Sequence, residues 1–180
     1  NWERKREAYL TRPLLQNTYS TQVLPKIQHP FPLPQPLQSQ WQAYPADFQP
    51  AGTTKVLRYL HSFMEKRGAN YHRFISKPSR SRVSCSRLSP YLAWGNLSVR
   101  QVYQFVKAHP KTEYHQRAFQ NFLSRIAWHC HFIQKFEVEC EYETTCINRG
   151  YELLERPRNE AFIKAWEAGQ TGYPLVDACM

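Results

Sequence analysis

The stretch Ser84-Cys85-Ser86-Arg87-Leu88-Ser89-Pro90-Tyr91-Leu92-Ala93-Trp94-Gly95 places three hydroxyls and one arginine directly ahead of a helix start. Ser89 is the predicted N-cap, because its hydroxyl can accept hydrogen bonds from the free N–H groups of the first turn. Pro90 suits the first helical position, where no N–H is needed. Free N–H groups, hydroxyls and a permanent positive charge favour a phosphate ligand, although a capped helix with an exposed arginine fits the same residues.

The segment before this stretch is strongly basic. Seven lysine and arginine residues and no acidic residue lie between Lys66 and Arg87. The chain of 180 residues carries a net charge of +10. A basic segment that leads into a hydroxyl-rich helix start favours a polyanion, such as nucleic acid or a phosphorylated cofactor.

Two stretches resemble one known family. Residues 85–95 read Cys-Ser-Arg-Leu-Ser-Pro-Tyr-Leu-x-x-Gly and resemble the Thr-Ser-Arg-Leu-Ser-x-x-Leu-x-x-Gly signature of DNA photolyases and cryptochromes. Residues 165–180 read Ala-Trp-Glu-Ala-Gly-Gln-Thr-Gly-Tyr-Pro-Leu-Val-Asp-Ala-Cys-Met and are similar to the family's Trp-x-x-Gly-x-Thr-Gly-(Tyr/Phe)-Pro-x-(Val/Ile)-Asp-Ala-x-Met. The signatures occur in the family's order, and the resemblance extends from Gly52 to Met180.

The resemblance implies that the intact protein binds FAD in a U-shaped pocket, with the serine-rich loop at the diphosphate. The residues so assigned are Tyr71, Ser84, Cys85, Ser86, Leu88 and Ser89. Cys85 stands where the family has threonine, and a thiol is the weaker hydrogen-bond donor. The basic loop, with Lys77, Arg80 and Arg82, is expected to face the phosphates of DNA.

A helix around Trp128 departs from the family pattern Trp-x-x-(Glu/Asn)-x-x-Trp-Arg-Glu-Phe. Trp128 is kept, and the resemblance implies that it touches DNA at the lesion. Phe122 replaces the first tryptophan, Arg125 replaces the acid or amide, and His129 replaces the final arginine. Because Arg125 can only donate hydrogen bonds, the family's acceptor for a thymine edge is lost. Phe122, Arg125 and His129 are therefore assigned to the flavin, while another lesion or a signalling partner remains open for Arg125 and His129.

The periodicity of apolar residues predicts an all-α fold without strands. A helix is expected from Gly52 to a C-cap at Gly68, and a loop from 70 to 84. Ser98 to Gln101 reads as a capping box for a helix that Pro110 stops. A long helix is expected over 112–136, an irregular acidic segment over 137–158, and a last helix from Asn159 to Gly169.

The N-terminal part is predicted to be extended. Seven prolines lie between Pro25 and Pro50, and such a run favours polyproline II over helix or strand. A semi-rigid linker, or else a ligand for an aromatic groove, fits this composition. We therefore expect an interdomain linker over 1–51 and the N-terminal half of a helical FAD-binding domain over 52–180, truncated at both ends.

Several functional classes are not expected. Five cysteines without regular spacing favour free thiols in a reducing compartment, and no apolar run reaches the length of a membrane span. His129 and His131 would point about 200° apart on a helix, so a shared metal ion is not expected. A cytoplasmic monomer without a metal site is the expectation, and no catalytic side chain is identified.

The predicted function is that of an FAD-binding photolyase-like protein, which repairs UV-damaged DNA by photoinduced electron transfer. The piece alone is expected to be inactive, and its antenna chromophore is not identified. One alternative is a cryptochrome, a blue-light photoreceptor without repair activity. A second alternative is a flavin-free, basic, helical DNA-binding module.

Overall fold

The structure is a computed structural model that describes residues 1–16, 32–43, 45 and 48–180. All regular structure in these residues is helical and no strand occurs among them, which confirms the all-α prediction. The α-helices are α1 (Trp2–Leu10), α2 (Gln35–Gln42), α3 (Thr53–Ser62), α4 (Tyr71–Phe74), α5 (Pro78–Ser84), α6 (Ser89–Ala93), α7 (Val99–Ala108), α8 (Lys111–Tyr114), α9 (Gln116–Val138), α10 (Glu160–Glu167) and α11 (Pro174–Asp177). Within the described ranges, no helix is both long and apolar enough to cross a membrane.

The chain divides into two compact units, residues 1–131 and residues 132–180. The core of the first unit comes from the apolar faces of α3, α7 and α9. Its most deeply buried side chains are Val56, Leu60, Phe63, Met64, Leu88, Val102, Val106 and Phe119. Val56 and Leu60 of α3 and Val102 and Val106 of α7 are each four residues apart and buried, which is the helical spacing of a core-facing stripe.

Helix α7 begins and ends as its sequence predicts. Ser98 Oγ accepts from the Gln101 N–H at 3.1 Å, and Gln101 Oε1 accepts from the Ser98 N–H at 2.8 Å. The capping box therefore satisfies two N–H groups that the first helical turn leaves without partners. The helix ends at Ala108, two residues before Pro110.

The N-terminal residues are more structured than a bare linker. Leu10 of α1 is buried, and Glu7 of α1 accepts a hydrogen bond from the Tyr103 hydroxyl of α7 at 3.0 Å. Gln104 donates to the Leu10 carbonyl at 2.7 Å, so the end of α1 is also fixed to α7. Helix α1 thus lies in the first unit, while the proposed domain boundary at residue 51 stays a prediction.

The proline-rich run lies partly outside the described residues. Within the described part, Pro36 is in the first turn of α2, which corrects the expectation that the run cannot be helical. Proline is compatible with this position because the N–H groups of the first turn need no intrahelical partner. The polyproline II prediction for residues up to 31 falls on residues outside the described ranges.

The predicted loop over 70–84 is wrong, because helices α4 and α5 occupy most of it. Pro78 is the first residue of α5, where proline is tolerated because the N–H group it lacks would have no intrahelical partner. Between α3 and α4 the chain forms a π-helical turn, Phe63–Arg67, and then a 3₁₀ turn, Gly68–Asn70. These turns rotate the following residues relative to the face of α3.

The second unit has none of its residues buried. Helix α10 is capped by Asn159, whose Oδ1 accepts from the Ala161 N–H at 3.0 Å, as the sequence predicts. Gly169, with φ +62°, ends it in the left-handed region. Asp177 accepts hydrogen bonds from Thr171 and from the Gly172 N–H, and these bonds lower the pKa of its carboxyl group.

Gly68 is the C-cap residue of the turn Phe63–Arg67, as predicted, and it also has a packing role. Its φ of −81° is accessible to any residue, so no left-handed turn requires glycine here. A Cβ at this position would lie 2.7 Å from the Phe63 carbonyl oxygen and 2.9 Å from Cε1 of Phe119. Glycine is therefore required because the π-helical turn and the ring of Phe119 approach its Cα closely.

We expect Gly68→Ala to lower the free energy of unfolding by about 2–3 kcal/mol, because a methyl group here overlaps backbone and a buried ring. Urea unfolding followed by circular dichroism measures the change. Gly150→Ala is the control, since its Cβ would meet only the side-chain Oδ1 of Asn148, at 3.2 Å. Equal stability of the two variants would contradict the close packing at Gly68.

Candidate binding site

The serine-rich loop is fixed to the first unit by the side chain of Arg67. Its guanidinium donates to the Val83 carbonyl at 3.0 Å, to the Cys85 carbonyl, and to the Ser86 carbonyl at 3.4 Å. On its other side it donates to the Tyr59 carbonyl at 2.9 Å. One half-buried side chain thus connects the end of α3 to the turn between α5 and α6.

These bonds also set the direction in which the loop's N–H groups point. In a trans peptide the C=O and N–H point in opposite directions. Because the Cys85 and Ser86 carbonyls point toward Arg67, the N–H groups of Ser86 and Arg87 point away from it. The loop therefore presents two backbone donors on the side opposite Arg67.

Arg87 continues this turn in an unusual backbone conformation. Its φ of +60° is the one positive φ outside glycine in the described residues. Leu88 follows with φ −88° and ψ −12°, in the right-handed region. A left-handed residue next to a right-handed one can turn neighbouring N–H groups toward one side of the chain, as in backbone nests that bind anions.

The loop borders an open cavity of about 570 Å³. The residues that line it are Gln49, Pro78, Ser81, Arg82, Cys85, Ser86, Arg87, Leu88 and Ser89. Two of them are cationic and none is acidic. No hydrogen bond to the Ser86 and Ser89 hydroxyls is found within the described part of the chain. Burial raises the pKa of the Cys85 thiol despite the nearby Arg67 and Arg87, so this side chain is a neutral donor at pH 7.

Four of the residues predicted at the diphosphate, Cys85, Ser86, Leu88 and Ser89, are thus brought together. Leu88 is buried, so only its backbone is available. Ser89 was predicted to be the N-cap of α6, but it is the first residue of this helix. The N-cap is Leu88. Helix α6 has five residues, so the backbone turn before it is the better source of donors.

Ser84, Tyr71 and Phe122 lie elsewhere. Ser84 is buried and its hydroxyl donates to the Arg80 carbonyl at 2.9 Å, so it does not line the cavity. Tyr71 is a core residue, with its ring edge-on to Phe122 at 5.7 Å. Burial, followed by the nearby Cys85, raises the pKa of Tyr71 to about 12, and Arg125 opposes this shift.

The residues predicted on the helix around Trp128 are all on α9, at different depths. Phe122 is buried, Arg125 is exposed, and Trp128 is half exposed. The Nδ1 atom of His129 is buried without a hydrogen-bond partner in the described part of the chain. Trp128 lines a second cavity, of about 260 Å³, together with Trp2, Ser124, Ala127 and His131.

The basic loop does not present all of its charges outward. Lys77, Arg80 and Arg82 are exposed on α5 and at its start, as a DNA-facing surface requires. Lys77 and Arg80 both lie over the ring of Phe74, and Arg82 lines the cavity. Arg67 was counted in the basic segment expected to face a polyanion, and this is wrong for its side chain. Its guanidinium donates its hydrogen bonds to carbonyl groups of the protein itself.

Sequence reasoning missed the roles of Arg67 and Gln49. Gln49 contacts the loop from 38 positions away, through hydrogen bonds to Arg87 of 2.8 and 3.0 Å. No motif in the sequence marks either residue. A pairing between distant residues is visible only in the folded chain.

Comparison with known proteins gives one family model and several relatives. The family model described as the FAD binding domain of DNA photolyase matches residues 122–180. The deoxyribodipyrimidine photo-lyase of Alkalihalophilus pseudofirmus is 29% identical over 136 residues, which are 74% of this chain and 27% of the relative. Cryptochrome-1 of Sinapis alba is 31% identical over 138 residues, 72% of this chain and 26% of the relative.

Cryptochrome DASH of Synechocystis is 34% identical over 98 residues, 53% of this chain and 19% of the relative. The chain therefore spans about a quarter of the length of the curated relatives it matches, or less. Photolyases and cryptochromes both occur among them, at similar levels of identity.

We expect Arg67→Met to lower the free energy of unfolding by about 2–4 kcal/mol, because the carbonyls of the loop lose a charged donor that no water fully replaces. Hydrogen exchange of the amides of residues 83–85, which are hydrogen-bonded at the end of α5, should become faster in the same variant. Lys66→Met is the matched control, since Lys66 is exposed beside Arg67. Unchanged protection of the 83–85 amides in Arg67→Met would contradict the role given to this guanidinium.

Proposed function

Since the chain belongs to the photolyase and cryptochrome family, whose FAD binding domain it matches, we propose that it supplies the diphosphate site of a flavoprotein that repairs UV-damaged DNA under blue light. FAD is the cofactor of this family domain. The observation that carries the proposal is the cavity bordered by residues 85–89, with its hydroxyls, its outward N–H groups and its two arginines.

The cavity fits a diphosphate by charge and by hydrogen bonding. Ser86 and Ser89 supply hydroxyl donors, and the N–H groups of Ser86 and Arg87 supply backbone donors. Arg82 and Arg87 add positive charge, and no lining carboxylate opposes an anion. Cys85 contributes a weaker donor than the family's threonine, so one hydrogen bond to phosphate is weakened while the others remain.

The chemistry that bound FAD would supply is electron transfer to the lesion after light absorption. The chain's own residues hold the cofactor and meet the DNA. Trp128 offers a half-exposed ring, and such a ring can stack on a base that leaves the duplex. Lys77 and Arg80 are exposed cations that would neutralise DNA phosphates, and the net charge of +10 supports the same partner.

Signalling without repair is the second candidate function, and Arg125 favours it. Where the family has an acid or amide that accepts hydrogen bonds from a thymine edge, this exposed guanidinium only donates. A chain with this exchange would keep flavin binding and lose recognition of the usual cyclobutane dimer. The repair function leads because Trp128 is retained and because α5 and its start carry the exposed cations Lys77, Arg80 and Arg82.

We expect the double variant Ser86→Ala with Ser89→Ala to bind FAD about ten- to a hundredfold more weakly than the unmodified chain, since two hydroxyl donors to phosphate are lost. Flavin fluorescence titration measures the affinity. Ser79→Ala is the control, because Ser79 is on α5 without lining the cavity. If the double variant and the control bind FAD equally well, the assignment of the diphosphate site is wrong.

For the protein that contains this chain, we expect blue light to restore UV-damaged oligonucleotides and Trp128→Ala to slow this repair at least about tenfold, because base stacking is worth roughly 1–3 kcal/mol. Trp94→Ala is the control, since Trp94 is 85% exposed and does not line the Trp128 cavity. Flavin photoreduction without repair would support the photoreceptor function. A colourless protein that binds damaged and undamaged DNA alike would support the flavin-free module.

A further inference from the structure

The segment just before α3 forms one wall of the diphosphate cavity. Gln49 contacts Arg87 through both ends of its carboxamide: its Oε1 accepts from Arg87 Nε at 3.0 Å, and its Nε2 donates to the Arg87 carbonyl at 2.8 Å. The next residue, Pro50, accepts a hydrogen bond from the Tyr91 hydroxyl at 2.7 Å. The side chain of Gln49 is thus attached to the loop, and the main chain of Pro50 is attached to α6.

The contact with Arg87 matters because of that residue's backbone. A side chain with a Cβ rarely adopts φ +60°, since its Cβ approaches the neighbouring carbonyl oxygen. Such a conformation persists only where surrounding contacts hold it. Gln49 holds Arg87 on both sides of its Cα, through the side-chain Nε and the main-chain oxygen.

The same contact limits where the Arg87 guanidinium can go. With Nε bound to Gln49, and Nη1 donating to the Arg82 carbonyl at 3.5 Å, the guanidinium lies along the cavity wall. Its remaining N–H groups make no hydrogen bond within the described part of the chain. Gln49 therefore fixes a charged donor and a backbone turn with one side chain.

We propose that Gln49 is a positioning residue of the diphosphate site, which holds Arg87 in the left-handed turn so that its N–H, its guanidinium and the Ser86 N–H face one anion. The proposal rests on the proposed function of this cavity. It extends the site to the segment preceding residue 52, which lies outside both family signatures. Gln49 acts through Arg87.

The test titrates the full chain with sodium pyrophosphate and follows the amide signals of residues 86–89 by NMR. Gln49→Ala should weaken binding about tenfold, as expected when two hydrogen bonds that preorganise a donor set are lost. Gln49→Glu should weaken it at least as much, because a carboxylate cannot donate to the Arg87 carbonyl and repels the anion. Gln120→Ala is the control, since this exposed glutamine does not line the cavity.

A second background separates positioning from general stabilisation. Arg87→Gly removes the guanidinium that Gln49 holds and the Cβ that makes the left-handed turn costly, so this background itself binds pyrophosphate more weakly. Gln49→Ala should then weaken the remaining binding much less, by about twofold or less. Melting temperatures are measured in parallel. If Gln49 only stabilises the fold, Gln49→Ala lowers the melting temperature and weakens binding by the same factor in both backgrounds.

The outcomes distinguish the two proposals. Equal pyrophosphate affinity of Gln49→Ala and the unmodified chain overturns the role of Gln49 and leaves the diphosphate site in place. An equal loss of affinity in both backgrounds also overturns positioning through Arg87. If the unmodified chain shows no pyrophosphate-dependent shifts at 86–89, the diphosphate site itself is wrong, and the role of Gln49 fails with it.

Discussion

The hydrogen bonds of Arg67 to main-chain carbonyls are the constraint on which the candidate site depends. The guanidinium binds neutral acceptors, which belong to Tyr59, Ser62, Val83, Cys85 and Ser86. Burial lowers the pKa of Arg67, yet arginine stays charged at any physiological pH. No carboxylate is among these acceptors, so the positive charge is not neutralised locally. Arg67 therefore turns the loop's carbonyls inward, and its charge adds to the potential on the side where the N–H groups point.

The parts of the fold that follow from local rules could be predicted from the sequence. The capping box at Ser98, the stop at Pro110 and the cap at Asn159 depend on residues within one helical turn of each other, and all three are confirmed. The role of Arg67 could not be predicted in this way. A π-helical turn adds a residue to each turn of helix, so the period of α3 does not say where residue 67 points. A count of basic residues in the sequence therefore does not distinguish Arg67, whose side chain points inward, from the exposed lysines and arginines.

Glycine 68 shows a second limit of sequence reasoning. A glycine after an apolar helix is commonly the residue that ends it with a positive φ, and Gly169 fits that rule. Gly68 has a negative φ and is required by the closeness of Phe63 and Phe119, the second of which is 51 positions away. A positive φ and a close packing contact both require glycine, so the sequence alone does not distinguish them. Only the packing of α9 against the turn after α3 separates them.

The two sides of the candidate site differ in what a substitution can change. At the proposed diphosphate site, backbone N–H groups act together with several side-chain donors, and the neighbouring carbonyls are held by Arg67 and Gln49 from outside the loop. A side-chain exchange within the loop, such as cysteine for the family's threonine at residue 85, therefore alters one donor among several. On α9 the groups assigned to recognition under the proposed function are side chains. The exchange of an acceptor for the donor Arg125 changes the chemistry at that position completely, so under this proposal selection of the DNA lesion is expected to diverge from the family before FAD binding does.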